Sequence, residues 1–178
     1  MRRLVAVLWM AGSLAGSQAQ RLVPAPRSMT RGEGWLELRS PVRISVANPE
    51  DRLAAETILE ELKQIHKREA LISGAEGAII RLLRAGEPAA DRELQTLGLD
   101  RRALEDEEGY WLHSGPRGVL IAARTAAGVF YGAQTLRQLI GADGRVPALS
   151  IADWPALRYR GLSVDLSRGP IPNDEQLR

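Results

Sequence analysis

A polar pair close to the C-terminal end of the 178-residue sequence is its best candidate for binding chemistry. Residues 159–167 alternate between apolar and polar side chains, which predicts a strand with Asp165 on its polar face. Arg168 follows where this strand gives way to a loop, and a guanidinium there can donate a fork of hydrogen bonds to vicinal hydroxyls or a carboxylate. We interpret the pair as a candidate binding site, with a structural ion pair as the alternative.

Other groups suited to acid, base or metal chemistry are few. The two histidines, His66 and His113, fall on different predicted elements, and a structural role is favoured for each. The acidic residues 105–108 stand before a predicted strand, where adjacent carboxylates usually form a solvated loop. No cysteine is present, which excludes a disulfide framework, cysteine-ligated zinc and thiol catalysis. We therefore expect neither a metal site nor a cofactor.

Four aromatic residues invite comparison with a sugar-stacking platform, because sugars bind flat against aromatic rings. They are Tyr110, Trp111, Phe130 and Tyr131. Helical spacing places Phe130 beside an apolar helix face, so packing in the core is favoured for that ring.

The elements that must position these residues alternate between strands and helices. Apolar or alternating runs predict six strands, over residues 35–38, 42–46, 78–83, 109–113, 118–123 and 147–151. The runs at 109–113 and 118–123 flank the turn sequence Ser114-Gly115-Pro116-Arg117 and predict a hairpin. Residues 85–107, rich in glycine, proline and charge, are expected to be mostly a surface excursion.

Two amphipathic helices are predicted, over residues 51–67 and 125–141. In the second, Val129, Ala133, Leu136 and Ile140 recur at helical spacing and are expected to be buried. The order of elements describes an α+β domain over residues 20–152, with both helices on one face of a single sheet. Residues 153–158 are expected to be a linker, and residues 159–178 to begin a second domain.

The N-terminus has the pattern of a signal peptide. Arg2 and Arg3 precede the apolar run 4–16, and Ser17-Gln18-Ala19 supplies the small residues of a cleavage site. This predicts a signal peptide over residues 1–19, cleavage after Ala19 and a secreted or periplasmic protein. A membrane span is the alternative, but the run is shorter than the roughly 20 residues that a bilayer requires.

The composition is that of a globular chain, with 44% hydrophobic residues and a formal net charge of +2. A balance of 24 basic and 22 acidic residues provides no electrostatic argument for binding nucleic acid or an anionic membrane. The oligomeric state is not determined by these features.

A series of motifs occurs in fixed order along the chain: EGY at 108–110, GVLIAA at 118–123, AGVFYGAQTLRQL at 127–139, VPA at 146–148, IADWP at 151–155 and YRGLSVDLSR at 159–168. Together they resemble the secreted β-N-acetylhexosaminidases of glycoside hydrolase family 20, over roughly residues 22–168. The resemblance implies a small α+β domain followed by a (β/α)8 barrel, with residues 159–168 as the first barrel strand.

That resemblance also implies a mechanism. In the family, the 2-acetamido oxygen of the substrate attacks the anomeric carbon while an enzyme Glu protonates the leaving oxygen, and a neighbouring Asp orients the acetamido group. The Asp-Glu pair is expected on a later barrel strand beyond Arg178, so the chain alone is expected to be inactive. Of the family's site residues only Arg168 is matched here, as a ligand of the terminal sugar's hydroxyls, with Asp165 as support. The implied partners are glycans containing N-acetylglucosamine or N-acetylgalactosamine.

Alternatives remain open at this level. Residues 169–171 depart from the His-aromatic pattern common in the family, which weakens the assignment of substrate detail. A similar front domain precedes the barrels of O-GlcNAc-removing hydrolases and α-glucuronidases, although the Gly-aromatic-Gly segment usual in the former is not present. A non-catalytic carbohydrate-associated module is a third reading.

Overall fold

The computed structural model describes residues 22–98 and 101–161, together with Glu175. The strands of this part are β1 (Ser28–Glu37), β2 (Val42–Val46), β3 (Ala70–Ser73), β4 (Ile80–Arg84), β5 (Tyr110–Gly115), β6 (Gly118–Ala123) and β7 (Arg145–Asp153). The α-helices are α1 (Arg52–Gln64), α2 (Pro88–Thr96) and α3 (Ala126–Leu139). Short 3-10 helices cover Pro49–Asp51 and Arg101–Leu104.

All of these strands belong to one mixed sheet in the order β1-β7-β5-β6-β4-β2-β3. The neighbours β1, β7, β5 and β6 run antiparallel, whereas β6, β4, β2 and β3 run parallel. The α+β fold and the hairpin of β5 and β6 confirm the expectations from the sequence. Each of the six predicted strands is present, with boundaries that differ by a few residues.

Two differences at the edges of the sheet have a common cause. The sequence analysis missed β3, and it placed the start of β1 seven residues too late, at Trp35 instead of Ser28. Both are edge strands, and most of their side chains are exposed or only half-buried. Backbone pairing with one neighbour holds such strands in place without an apolar pattern in the side chains.

The helices α1 and α3 pack against each other and against one face of the sheet. Val129, Ala133 and Leu136 are completely buried there and Ile140 is 5% exposed, which confirms the predicted apolar face. The Thr125 hydroxyl accepts a hydrogen bond from the backbone N–H of Gly128 at 3.3 Å, so Thr125 caps α3 as expected.

The opposite face of the sheet is covered in part by α2 and the 3-10 helix Arg101–Leu104. A second apolar cluster there brings Leu94 and Ala103 against Trp111 and Leu120. The expectation that residues 85–107 are mostly a surface excursion was therefore wrong in part. Ala90 and Leu94 follow a helical spacing and are buried, but the surrounding glycine, proline and charges hide this short pattern.

Glycines allow α3 to lie very close to the sheet. A Cβ atom at Gly128 would lie 2.3 Å from the carbonyl oxygen of Gly109, and one at Gly132 would lie 2.6 Å from Cγ2 of Ile121. Both distances are shorter than side chains tolerate, so α3 owes its position to these two residues.

Several expectations concern residues that the structure does not describe. These are the signal peptide at 1–19, the part of the predicted strand after Gly161, and the predicted helix start capped by Asn173. Asp165 and Arg168 also lie outside the described residues. Tyr159 to Gly161 are described and belong to no helix or strand, so the strand predicted from residue 159 is not present over those three positions.

Candidate functional site

A groove of about 650 Å³ lies beside α3, where the two ends of the described chain meet. One wall is a face of α3, a second is the segment 23–27 before β1, and a third is the segment that follows β7. Its lining residues on α3 are Tyr131, Gln134, Thr135 and Gln138, and those after β7 run from Trp154 to Leu157 with Arg160.

The floor of the groove is a small hydrogen-bonded network. The Tyr110 hydroxyl lies 2.6 Å from Oγ1 of Thr135 and donates to Oδ2 of Asp153 at 3.3 Å. The other carboxylate oxygen of Asp153 accepts the backbone N–H of Arg27 at 3.1 Å. Burial raises the pKa of the Tyr110 phenol, which keeps it a neutral hydrogen-bond donor. The network ties the N-terminal segment to the end of β7.

Two arginines hold the rim. The Arg27 guanidinium donates to the carbonyls of Trp154 and Pro155 at 2.9 and 3.2 Å, and it lies 4.9 Å from the centre of the Trp154 ring. Arg160 forms an ion pair with Glu108 and lies 5.9 Å from the centre of the Tyr131 ring. Each of these two aromatic rings therefore already carries a cation on one face.

The four aromatic residues considered as a sugar platform do not share a surface. Tyr110 is buried, and Trp111 packs in the apolar cluster on the opposite face of the sheet. Phe130 packs against the main core as the helical spacing predicts, and Tyr131 is the exposed member at 39%.

Both histidines have structural surroundings, as the sequence analysis favoured. The His66 side chain is nearly buried, with Nε2 3.7 Å from Glu61, and Glu61 pairs with Arg137 at 2.7 Å to join α1 to α3. His113 lies at the other face, where Nδ1 and the Ser150 hydroxyl are 2.9 Å apart. Burial, and then the charge of Arg117, lower the pKa of the His113 imidazole.

The acidic run 105–108 stabilises its own loop, as expected. The Asp106 carboxylate accepts the backbone N–H of Glu108 at 2.8 Å, and Glu107 lies 3.7 Å from Arg124. Within the described part of the chain, no three His, Cys, Asp or Glu side chains are grouped so as to hold a metal ion. None of the helices in that part is long and apolar enough to cross a membrane.

A buried ion cluster was not anticipated from the sequence. Nε of Arg84 donates to both carboxylate oxygens of Asp51 at 2.9 Å, and its other nitrogens reach Glu50 and the carbonyl of Arg124 at 3.2 Å. Asp51 is 1% exposed. The cluster joins the start of α1 to the carboxyl end of β4, and no spacing along the sequence links these positions.

Comparison with known proteins gives this architecture a family. The family model described as glycosyl hydrolase family 20, domain 2, matches residues 19–154 of the chain. The chain belongs to glycosyl hydrolase family 20. The match covers most of the chain and ends at Trp154, in the wall of the groove. It agrees with the family resemblance of the sequence motifs and disfavours the O-GlcNAc-hydrolase and α-glucuronidase alternatives.

Individual family 20 relatives support the assignment. The β-hexosaminidase of Porphyromonas gingivalis is 32% identical over 157 residues, which are 83% of this chain and 19% of that protein. The β-N-acetylhexosaminidase of Cellulomonas fimi is 36% identical over 93 residues, 50% of this chain and 18% of its own length. The solved N-acetyl-β-hexosaminidase of Streptomyces plicatus superposes with a TM-score of 0.64 and 31% identity, over 79% of this chain and 27% of that one. The chain thus spans about a fifth to a quarter of these relatives.

Proposed function

We propose that this chain is the N-terminal part of a secreted glycoside hydrolase that removes terminal β-linked N-acetylhexosamine. The observation that carries the proposal is the family 20 match over residues 19–154, since the relatives found across that span are named as β-hexosaminidases. The apolar run at residues 4–16, behind two arginines, supports secretion.

The proposed reaction is retaining and substrate-assisted. The 2-acetamido oxygen of the substrate attacks the anomeric carbon and expels the leaving oxygen, which takes a proton from an enzyme Glu. Water then opens the cyclic intermediate and restores the β configuration, and the same Glu accepts the proton from that water. An adjacent Asp holds the acetamido group in position for the attack.

Within this proposal the described residues hold the domain together and do not supply the acid. Asp51, Glu61 and Glu108, which are paired with arginines, are committed to structural contacts. The Asp-Glu pair is placed beyond Arg178. Arg168 is assigned to the hydroxyls of the terminal sugar, with Asp165 supporting it, on the basis of the R-G-L-x-x-D-x-S-R motif at 160–168.

The test uses the full-length protein and two aryl glycosides with the same leaving group. The aryl β-N-acetylglucosaminide is expected to be hydrolysed, and the aryl β-glucoside is expected to react at least about a hundredfold more slowly, because it lacks the attacking acetamido oxygen. An aryl β-N-acetylgalactosaminide measured alongside determines which hexosamine is preferred. Equal rates on the first two substrates would contradict substrate assistance, and no turnover of any of the three would contradict the proposed activity.

A further inference from the structure

The two helices on the same face of the sheet differ sharply in charge. Of the 13 residues of α1, five are charged: Arg52, Glu56, Glu60, Glu61 and Lys63. The 14 residues of α3 include one charged residue, Arg137, and it is paired with Glu61 of α1. A helix face that remains in water normally carries charges, as α1 does. The outer side of α3 is therefore not built as a solvated surface.

The groove-lining residues of α3 form a continuous stripe. Tyr131, Gln134, Thr135 and Gln138 are spaced at i, i+3, i+4 and i+7, which places them on one side of the helix. This side differs from the side of Val129, Ala133 and Leu136, which faces the sheet. The stripe is uncharged, polar and aromatic, a composition that resembles interfaces between domains more than a core or an open surface.

Large apolar side chains are exposed next to this stripe. Leu157 is 66% exposed, Tyr159 85% and Val23 75%, and Leu157 and Val23 line the groove. The exposed segments are not loosely attached, because Arg27 anchors the backbone of Trp154 and Pro155 while Arg160 pairs with Glu108. The surface is therefore formed in advance and still leaves apolar side chains in water.

We propose that the α3 stripe and residues 154–161 are the surface on which the catalytic domain of the same polypeptide docks. The inference rests on the proposed function, which places a catalytic domain after this chain. The position of the surface identifies the occupant. The family match to domain 2 ends at Trp154 in the groove wall, and the chain passes out of the groove at Arg160 toward residues 162–178. A domain attached at that point is held beside the groove at high effective concentration.

Hydroxyl-radical footprinting of the full-length protein tests this directly. Trp35 on β1 is 58% exposed and far from the groove, so it serves as the internal reference. If the surface is covered, Tyr131 and Tyr159 are oxidised at least about fivefold more slowly than Trp35, because the centre of an interface excludes water. Oxidation of Tyr159 as fast as that of Trp35 would overturn the proposal, since Tyr159 is the more exposed residue in the domain described here.

A pair of variants locates the contact on α3. Tyr131→Lys places a charge in the stripe, whereas Leu53→Lys places the same charge on the outer side of α1, at a residue that is 63% exposed. Tyr159 is expected to become several times more reactive in Tyr131→Lys and to be unchanged in Leu53→Lys. Equal protection of Tyr159 in both variants and the unmodified protein would show that α3 is not part of the docking surface.

Two further readouts separate this proposal from its alternatives. Protection that disappears on dilution, together with a change of sedimentation from dimer to monomer, would assign the surface to a second copy of the chain and overturn the proposal. The glycoside assays on the same sample are independent of the footprint. Protection without turnover would reject the proposed activity while leaving the docking surface in place, and turnover without protection would do the reverse.

Discussion

At the scale of single residues, the charged side chains of this domain mainly hold distant segments together. Arg27 fastens the N-terminal segment to the residues after β7, and Arg84 neutralises the buried carboxylate of Asp51. Arginine suits this role because its planar fork satisfies two acceptors at once and remains charged. With two lysines in the whole chain, nearly all such contacts use arginine.

His113 makes the stability of the domain depend on pH. Its pKa is lowered by burial and by Arg117, so the unfolded chain binds this proton more readily than the folded one. The contribution of neutral His113 is complete above about pH 6.5, its ordinary value, and is lost as the pH falls below it. We expect the free energy of unfolding to decline more steeply between about pH 7 and 5 in the unmodified protein than in His113→Gln. Parallel declines in urea titrations would contradict this.

The role proposed for Arg168 predicts a defect in catalysis rather than folding. In the full-length enzyme, Arg168→Lys is expected to lower kcat/KM about ten- to a hundredfold, because the loss of a charge-assisted hydrogen bond costs about 1.5–3 kcal/mol and lysine lacks the fork. The melting temperature is expected to change little. Arg39→Lys is the matched control, since the Arg39 side chain is 83% exposed. Normal kinetics with a lowered melting temperature would make Arg168 a structural ion-pair residue.

At the scale of elements, α3 is the central piece of the domain. It packs on β5 and β6 with one side, contacts α1 with another and lines the groove with a third. Gly128 and Gly132 permit its close approach to the sheet, and Thr125 fixes its first turn. An error in the placement of α3 would therefore disturb the core and the groove together.

Truncation of its core side chain measures this dependence. Leu136 is completely buried, so Leu136→Ala is expected to lower the free energy of unfolding by about 2–5 kcal/mol, from lost apolar burial and the cavity left behind. Leu53→Ala on α1 is the matched control, because that side chain is 63% exposed and its loss is expected to cost about 0.5 kcal/mol or less. Similar losses for both variants in urea unfolding would show that Leu136 does not lie in a closed core.

At the scale of the whole molecule, the N-terminal segment predicts processing. When the full-length protein is expressed in an exporting host, N-terminal sequencing is expected to start at Gln20, because signal peptidase requires small residues such as Ser17 and Ala19 before the cut. Ala19→Phe is expected to block cleavage there. A mature protein that retains residues 1–19 in its unmodified form would contradict the assignment.

The division of labour between domains predicts that the 178-residue chain is inactive on its own. Without the Asp-Glu pair it lacks both the positioned acetamido group and a general acid, whose proton transfer alone contributes about 10²–10⁴-fold. The purified chain, shown to be folded by circular dichroism, is expected to release no aryl product from an N-acetylglucosaminide above the blank. Clear turnover would require an acid among residues 105–108 or elsewhere in this chain.

The sequence by itself determined the elements whose pattern is local. The 3.6-residue period of α1 and α3, the alternation in β2 and the turn between β5 and β6 are properties of neighbouring residues, and the structure has each of them where they were predicted. The motif series from residue 108 onward likewise pointed to the family that the domain match confirms. Such features are readable because backbone geometry imposes their periods.

Tertiary structure decided what depends on residues far apart in the chain. The edge strand β3 exists because β2 offers it a partner, and α2 is held by an exposed side of β5 and β6 that needs cover. The groove arises where Arg27 meets Asp153, two residues separated by 126 positions. No periodicity encodes such a meeting, since it follows only after the strands between them have been ordered in the sheet.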